Sequence, residues 1–287
     1  MSMFTVYVDD SGTNNNARVV TGAVCVSSVQ RWKAFERKWK KIAVSTGFKH
    51  FHMTEFAGCR PDKFCRDCIN GKKSVADHPW RTWTEKKRER ILASLAETVN
   101  RHVDMGFGIA VTKQDYDDLV LNAPLKTLVG DAVGKKHHTF TIQLCGGAIR
   151  NWRLDIKLKS PMKYIFDTTD DLIQRSEIAA MFIKSATDTT EPLEHGFSPT
   201  GYAFESRKDT VQLLSADMLA WASAKARVSE LFNTQRLDGL SKEAKIVIKT
   251  FVDGKKLTIA NINRKQLETW ANKETEFRKN SKLAAYN

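Results

Sequence analysis

The 287-residue chain carries 46 Lys and Arg against 33 Asp and Glu, a formal net charge of +13. Hydrophobic residues make up 41% and charged ones 28%, enough apolar material for a large globular core, which excludes an intrinsically disordered chain. The basic balance points to an anionic partner, of which nucleic acid is the commonest.

The longest apolar runs, such as Val19 to Val26, are far too short to span a bilayer. The opening residues lack the basic lead and small-residue cleavage site of a secretory signal, so the expected compartment is the cytoplasm. The five cysteines are Cys25, Cys59, Cys65, Cys68 and Cys145. An odd number in a chain expected to be cytosolic argues against a disulfide framework.

Phe4, Val6 and Val8 alternate with Thr5 and Tyr7, the period of a strand. That strand ends in Asp9 and Asp10 and runs into a Ser11-Gly12-Thr13 turn. A carboxylate at the end of a buried strand is costly unless something compensates its charge. A divalent metal does so when other carboxylates converge on it. Val19 to Val26 reads as the returning strand, with Cys25 as a small core residue.

Ser27 or Ser28 then caps a helix from about Gln30 to Ser45. Trp32, Phe35, Trp39 and Ile42 form its apolar stripe. Arg31, Lys33, Arg37, Lys38, Lys40 and Lys41 line the other side, offering either a solvated face or a phosphate-facing one. His52 and Glu55 follow on a short extended segment or at a helix start, where both can point at one site. Gly58 to Pro79 reads as an inserted loop. Within it Cys59, Cys65 and Cys68, with His78 or His52, supply a candidate zinc ligand set, while reduced loop thiols are the plainer alternative.

Thr84 caps a helix running to about Arg101, and Phe107 to Val111 is a strand. Tyr116 to Leu121 reads as a short helix. Lys135 to Arg153 reads as a longer one that includes Cys145, and its Gly146-Gly147 pair would allow close packing. Met162 to Asp167 repeats the opening pattern, a short apolar strand ending in an acid. Its Thr168-Thr169-Asp170-Asp171 turn starts the helix Leu172 to Lys184.

Phe204 and Glu205 end another strand, followed by Ser206, Arg207 and Lys208. The helix expected from Asp209 to Arg227 is apolar on nearly every side and therefore buried, so Asp217 within it needs a partner. That partner is either a metal shared with Asp9 and Asp167 or a buried hydrogen bond or salt bridge, for which Lys208 and Lys225 are candidates. From Ser241 to Asn287 the chain reads as a basic helical appendage outside the core. The expected division is a core over 1–230, with an insertion at about 57–80, and an extension over 231–287. No internal repeat is visible. A P-loop is absent, because Gly71-Lys72 is followed by Lys73 and lacks the earlier glycine.

These residues together resemble the bacterial and phage domain-of-unknown-function family numbered 3800. The matching pieces are Tyr7-Val8-Asp9-Asp10-Ser11-Gly12, His52-Met53-Thr54-Glu55, Phe166-Asp167, and Ser206 with Gln212-Leu213-Leu214-Ser215-Ala216-Asp217. They span Met3 to about Arg227. Asp10 stands where that family has glutamate, and Leu214-Ser215 is one residue longer than its closing motif. The resemblance implies an α/β, ribonuclease H-like mixed sheet flanked by helices. It also implies a metal-dependent nuclease in which Asp9, Asp167 and Asp217 hold Mg²⁺ or Mn²⁺, with Ser11, Ser206 and Gln212 beside the substrate.

Elementary chemistry agrees with that reading. Two such ions can clamp a phosphodiester, one activating water and one stabilising the leaving oxygen. Asp9 is the expected direct ligand and Asp10 a helper, with His52 or Glu55 orienting water or substrate. Phosphate contacts are expected from the Arg31–Lys41 helix, Lys40 and Lys41 included, and from Ser241 to Lys282. Two other classes stay open: a non-catalytic nucleic-acid-binding module and a haloacid-dehalogenase-like phosphatase. The latter needs an acid two residues after Asp9, where this chain has Ser11.

Overall fold

In β1 (Phe4–Ser11), Val6 and Val8 face one way and Tyr7 and Asp9 the other, because successive side chains of a strand alternate. The structure is a computed structural model describing residues 3–12, 16–72, 74, 77–121, 137–160, 162–169, 171–187, 201–231, 240–270 and 272. Thr13, Asp170 and the basic tail beyond Asn272 lie outside the described residues.

Among the described residues a six-stranded mixed sheet has the order β5-β4-β1-β2-β3-β6. Antiparallel pairs join β1 to β2 (Val19–Ser28) and β2 to β3 (Met105–Thr112). On one side, β4 (Met162–Asp167) and β5 (Tyr202–Glu205) add in parallel; on the other, β6 (Leu257–Ile262) pairs parallel to β3. Helices cover both faces, the mixed α/β architecture expected of a ribonuclease H-like domain. No helix among the described residues is long and apolar enough to cross a membrane.

One face buries Tyr7, Cys25 and Ile165 under α1 (Val29–Thr46), α4 (Glu85–His102), α8 (Leu213–Leu231) and α9 (Lys242–Gly254). Between α1 and α4 in sequence come α2 (Met53–Gly58) and the one-turn α3 (Arg66–Ile69). After β3, α5 (Lys113–Tyr116) widens into a π turn over Asp117–Leu121. The other face buries Val6, Val8, Val24 and Phe166 under α6 (His137–Asp155) and α7 (Leu172–Thr187).

Ser28 caps α1 by accepting a hydrogen bond from the Arg31 amide, while the Ser27 hydroxyl is spent on His102 and Asp104. Thr84 caps α4, accepting from the Lys87 amide.

Three expectations change. Residues 242–262 belong to the same body rather than to a peripheral helical appendage, so a boundary at 230 does not part them from the core. Ala244, Val247, Ile248 and Phe251 of α9 join the main core cluster, and β6 extends the sheet. The helix expected from Asp209 begins at Leu213, because residues after Ser206 fold into turns on the Ser206 carbonyl. Finally, of the Gly146-Gly147 pair Gly147 makes no close contact, and a close approach of α6 to the sheet occurs at Gly22 beneath it. A Cβ at Gly22 would lie 2.8 Å from the Thr141 hydroxyl, whereas one at Gly147 would meet nothing within 4 Å.

A sharper close approach occurs at Gly108 of β3, where an added Cβ would lie 2.1 Å from the Ser223 Oγ of α8. That hydroxyl is buried and donates to the Leu219 carbonyl. Gly108→Ala is therefore expected to destabilise the fold by about 2 kcal/mol through overpacking, read as a lowered denaturation midpoint at unchanged m-value.

Candidate functional site

The register of the sheet builds the acidic site. Val8 lies opposite Phe166 on the parallel pair β1–β4, so Asp9 and Asp167 come one residue further on in neighbouring strands, facing the same way, just where that pairing stops. That face is the one α8 covers, and Asp217 lies near the start of α8. The apolar surround expected of this helix is present: Leu213 to Ser223 is buried without a break.

The three aspartates meet on the Arg207 guanidinium. It pairs with Asp9 Oδ1 at 3.9 Å, with Asp217 Oδ1 at 3.7 Å and, most closely, with Asp167 Oδ2. The Arg207 amide also donates to Asp167 Oδ1 at 3.3 Å. Asp10 turns to the opposite face, where Gln174 of α7 donates to its Oδ2 at 2.7 Å. Asp217 accepts from the Met53 amide at 2.8 Å, and its Oδ1 lies 3.2 Å from His52 Nε2. His52 Nδ1 lies 3.9 Å from Glu55 Oε1, and Glu55 Oε2 lies 2.9 Å from His78 Nε2.

Electrostatics separate these carboxylates. Burial, against Arg207 and with Asp217, Asp10 and Asp167 adding repulsion, pushes Asp9 well above the usual carboxylate range. Burial likewise lifts Asp10 to about 6, against the Gln174 hydrogen bond and Arg207. Burial opposes ionisation of Asp217 too, but His52, Arg207 and the Met53 amide outweigh it and hold the group low. His52 is the counterpart: burial opposes its charge, yet Asp217 and Glu55 raise it to about 10, so it is an imidazolium at neutral pH.

The donor set fits a hard divalent cation. It consists of carboxylate oxygens, and Asp9 Oδ2 is buried with no hydrogen-bond partner among the described residues. The three acids are not closed on a common point, because the Arg207 guanidinium stands among them.

Arg207 also stands where three clefts meet. One of about 300 Å³ is lined by Asp9, Asp10, Asp167 and Gln174. A second of about 600 Å³ runs past His52 and Ser206 to Lys72 and Lys208. A third runs past Asp10, Ser11 and His52 to Arg18 and Lys225. Basic side chains thus flank the acids on two sides.

Not every residue singled out in the sequence lies here. Ser11 and Ser206 line the clefts, but Gln212 donates to Glu36 of α1 and lines none of these three. Lys40 is exposed and bonded to Glu36, and Lys41 is exposed on the same helix. Arg31 is held by Asp104 and the His102 carbonyl. Asp217 does have a buried hydrogen bond and ion pairs, but with the Met53 amide, His52 and Arg207 in place of a lysine; Lys225 lies over the Trp221 ring. Arg207 and Gln174 carry no periodic signal in the sequence.

No protein-family model and no curated protein matches the chain. Among solved structures it is similar to a chain of the PCNA:RNase HII complex from Archaeoglobus fulgidus. The two are 11% identical, the match covers 91% of this chain and 95% of that one, and the TM-score is 0.36. A likeness this distant says nothing about what the chain acts on.

Away from the acids, Cys59, Cys65, Cys68 and His78 bring their ligand atoms within 4.8 Å of one another. The cysteine loop is thereby joined to the acidic site through Glu55.

Proposed function

We propose that the chain is a metal-dependent nuclease, related to the family it resembles in sequence, which hydrolyses phosphodiester bonds of nucleic acid. The observation that carries this reading is the convergence of Asp9, Asp167 and Asp217, from three elements far apart in sequence, on one charged centre with a buried oxygen left over. Asp9, Asp167 and Asp217 would hold Mg²⁺ or Mn²⁺. When bound, such ions polarise the phosphate and lower the pKa of an attacking water.

The chain's own groups then have distinct tasks. His52, charged and fixed between Asp217 and Glu55, offers a proton to an oxygen in the cleft. Asp10, anchored by Gln174, adds a second carboxylate on the other side of β1. Arg207 neutralises the acids and is placed to exchange a carboxylate for a phosphate oxygen, to which its planar fork is equally suited.

A phosphatase of the haloacid-dehalogenase kind is disfavoured by Ser11, which occupies the position of its second acid. A binding module without chemistry would have no use for a buried acid cluster. The deciding experiment is incubation of labelled DNA and RNA with the protein in Mg²⁺, in Mn²⁺ and in chelator. Cleavage that needs the metal supports the reading; intact strands in every condition, with binding retained, overturn it.

The basic flanks give a separate expectation. Lys208→Ala with Lys225→Ala should weaken binding and reduce the slope of log K against log salt by about 1.4 to 1.8, since each phosphate contact contributes about 0.7 to 0.9. Lys40→Ala with Lys41→Ala should have the smaller effect, because Lys40 is already neutralised by Glu36. A salt titration of binding by gel shift compares the two pairs.

A further inference from the structure

Cys59 closes the C-terminus of α2, Cys65 and Cys68 flank the first residues of α3, and His78 immediately precedes Pro79. The Cys59 and Cys68 sulfurs are 3.5 Å apart, and His78 Nδ1 lies 3.2 Å from Cys68 Sγ and 3.7 Å from Cys65 Sγ. A tetrahedral zinc ion with bonds of about 2.3 Å to sulfur and about 2.0 Å to nitrogen has ligand–ligand edges of about 3.5 to 3.8 Å. The three separations, 3.2 to 3.7 Å, lie within about 0.3 Å of those edges, and all four ligand atoms fall within 4.8 Å of one another. They are too long for disulfides, and all of these cysteines are free.

The histidine supplies the second argument. His78 is buried, and its Nε2 lies 2.9 Å from Glu55 Oε2. An ionised carboxylate only accepts, so Nε2 carries the proton and the Nδ1 lone pair points at the sulfurs. A carboxylate behind the far nitrogen of a ligating histidine is the usual support of such a site. Cys59 and His78 are fully enclosed and four protein ligands close the sphere, which marks a structural rather than a catalytic ion.

The position of the cluster gives it a further consequence. His52, Met53 and Glu55 all lie at the start of the six-residue α2 whose C-cap is Cys59. An ion on Cys59 and His78 grips this helix twice, directly at its end and through Glu55 near its start. The chain of contacts continues from Glu55 to His52 at 3.9 Å and from His52 to Asp217 at 3.2 Å, while the Met53 amide donates to Asp217.

We propose that Cys59, Cys65, Cys68 and His78 bind one structural zinc ion, and that this ion, acting through His78 and Glu55, positions His52 and the Met53 amide against Asp217. The zinc site stands on its own geometry. Only its benefit to cleavage rests on the proposed nuclease role of Asp217. Glu55 and His78 are positioning residues in this scheme, since they act through the contacts that join them to each other and to His52.

The test uses the full chain purified without chelator. Metal analysis should find close to one zinc per chain. Exchange for Co²⁺ should give thiolate-to-cobalt charge-transfer and tetrahedral d–d absorption, and Cys68→Ser should lose both zinc and spectrum. Absence of zinc after reconstitution, or unchanged zinc content in Cys68→Ser, overturns the site.

His78→Cys keeps four soft ligands but cannot donate to Glu55, and Glu55→Ala leaves every ligand in place. Both variants should retain zinc while the Met53 amide loses at least tenfold of its protection from hydrogen exchange. Parental protection in a zinc-loaded variant overturns the positioning claim. These readouts do not involve activity, so a parent protein that fails to cleave would count against the nuclease reading alone.

Discussion

Asp217→Asn is expected to lower cleavage by about a thousandfold or more while binding of nucleic acid persists. A thousandfold corresponds to about 4 kcal/mol of transition-state stabilisation, the scale that metal ions supply. The substitution keeps the size of the side chain and leaves one carbonyl oxygen to accept from the Met53 amide, so local packing survives. It removes the negative charge that would neutralise a cation. It also removes the anion that keeps His52 protonated, because His52 owes its raised pKa, against burial, to Asp217 and Glu55. Two functions of the site therefore fail together, which is why the effect should exceed that of losing one hydrogen bond. Asp9→Asn should give a loss of the same order through the ligand alone. Single-turnover cleavage at saturating enzyme, beside a gel shift and a melting curve for each variant, measures chemistry, binding and fold separately. A folded Asp217→Asn protein that cuts within threefold of the parent removes Asp217 from the metal site.

The residues tested there were legible in the sequence because each lies on a regular element. Alternation of Phe4, Val6 and Val8 with Thr5 and Tyr7 marked the strand that carries Asp9, and a short apolar strand running into an acid recurred at Phe166 and Asp167. The all-round apolar surface of the helix holding Asp217 fixed its burial without any knowledge of its neighbours. Arg207 and Gln174 were not legible for the converse reason. Arg207 lies in a turn, and a turn side chain is directed by tertiary contacts that no periodicity encodes. Gln174 lies one face of β1 away from Asp9, and pairing it with Asp10 requires the packing of α7 on the sheet.

The C-terminal region misled through its charge. Lys242, Lys245, Lys249 and Lys255 suggested a solvated appendage, yet Ala244, Val247, Ile248 and Phe251 lie on the opposite side of α9 and are buried. β6 is a short edge strand whose apolar residues are interrupted by Thr258 and Asn261, and of its six residues only Leu257 is buried. The cysteine cluster was legible as a set of ligand types, but its link to the acids depends on Glu55 reaching His78, a contact of folded geometry alone.

Replacing Arg207 by methionine is expected to produce a protein that is less stable without metal and regains that stability when Mn²⁺ is added. Arg207 is the cation shared by Asp9, Asp167 and Asp217, and the first and last of these are buried. Removing one partner of a buried ion pair typically costs about 3 to 5 kcal/mol, because the other charge is left uncompensated. Here about 2 to 3 kcal/mol is expected, since the Arg207 side chain is 29% exposed and water screens part of the interaction.

Uptake of a proton limits the loss further. Asp9 already binds its proton more tightly than an ordinary carboxylate, so in the variant its folded-state pKa rises again above the unfolded value. The variant's deficit is therefore full above the folded-state pKa of Asp9 and shrinks as pH falls through that pKa toward the unfolded value, the opposite of ordinary acid denaturation.

A divalent cation entering the same cluster would replace the lost guanidinium. At a concentration one hundred times its dissociation constant it would return about 2.7 kcal/mol, enough to offset the deficit. In the parent the guanidinium must leave the acids before an ion is admitted. The variant should consequently bind Mn²⁺ at least tenfold more tightly, and its melting temperature should climb more steeply with metal concentration. Calorimetric melting of both proteins across a Mn²⁺ titration reads all of these effects. If Arg207→Met is destabilised and Mn²⁺ does not restore it, the acids are no cation site, and Arg207 is the permanent counter-ion of a buried charge cluster.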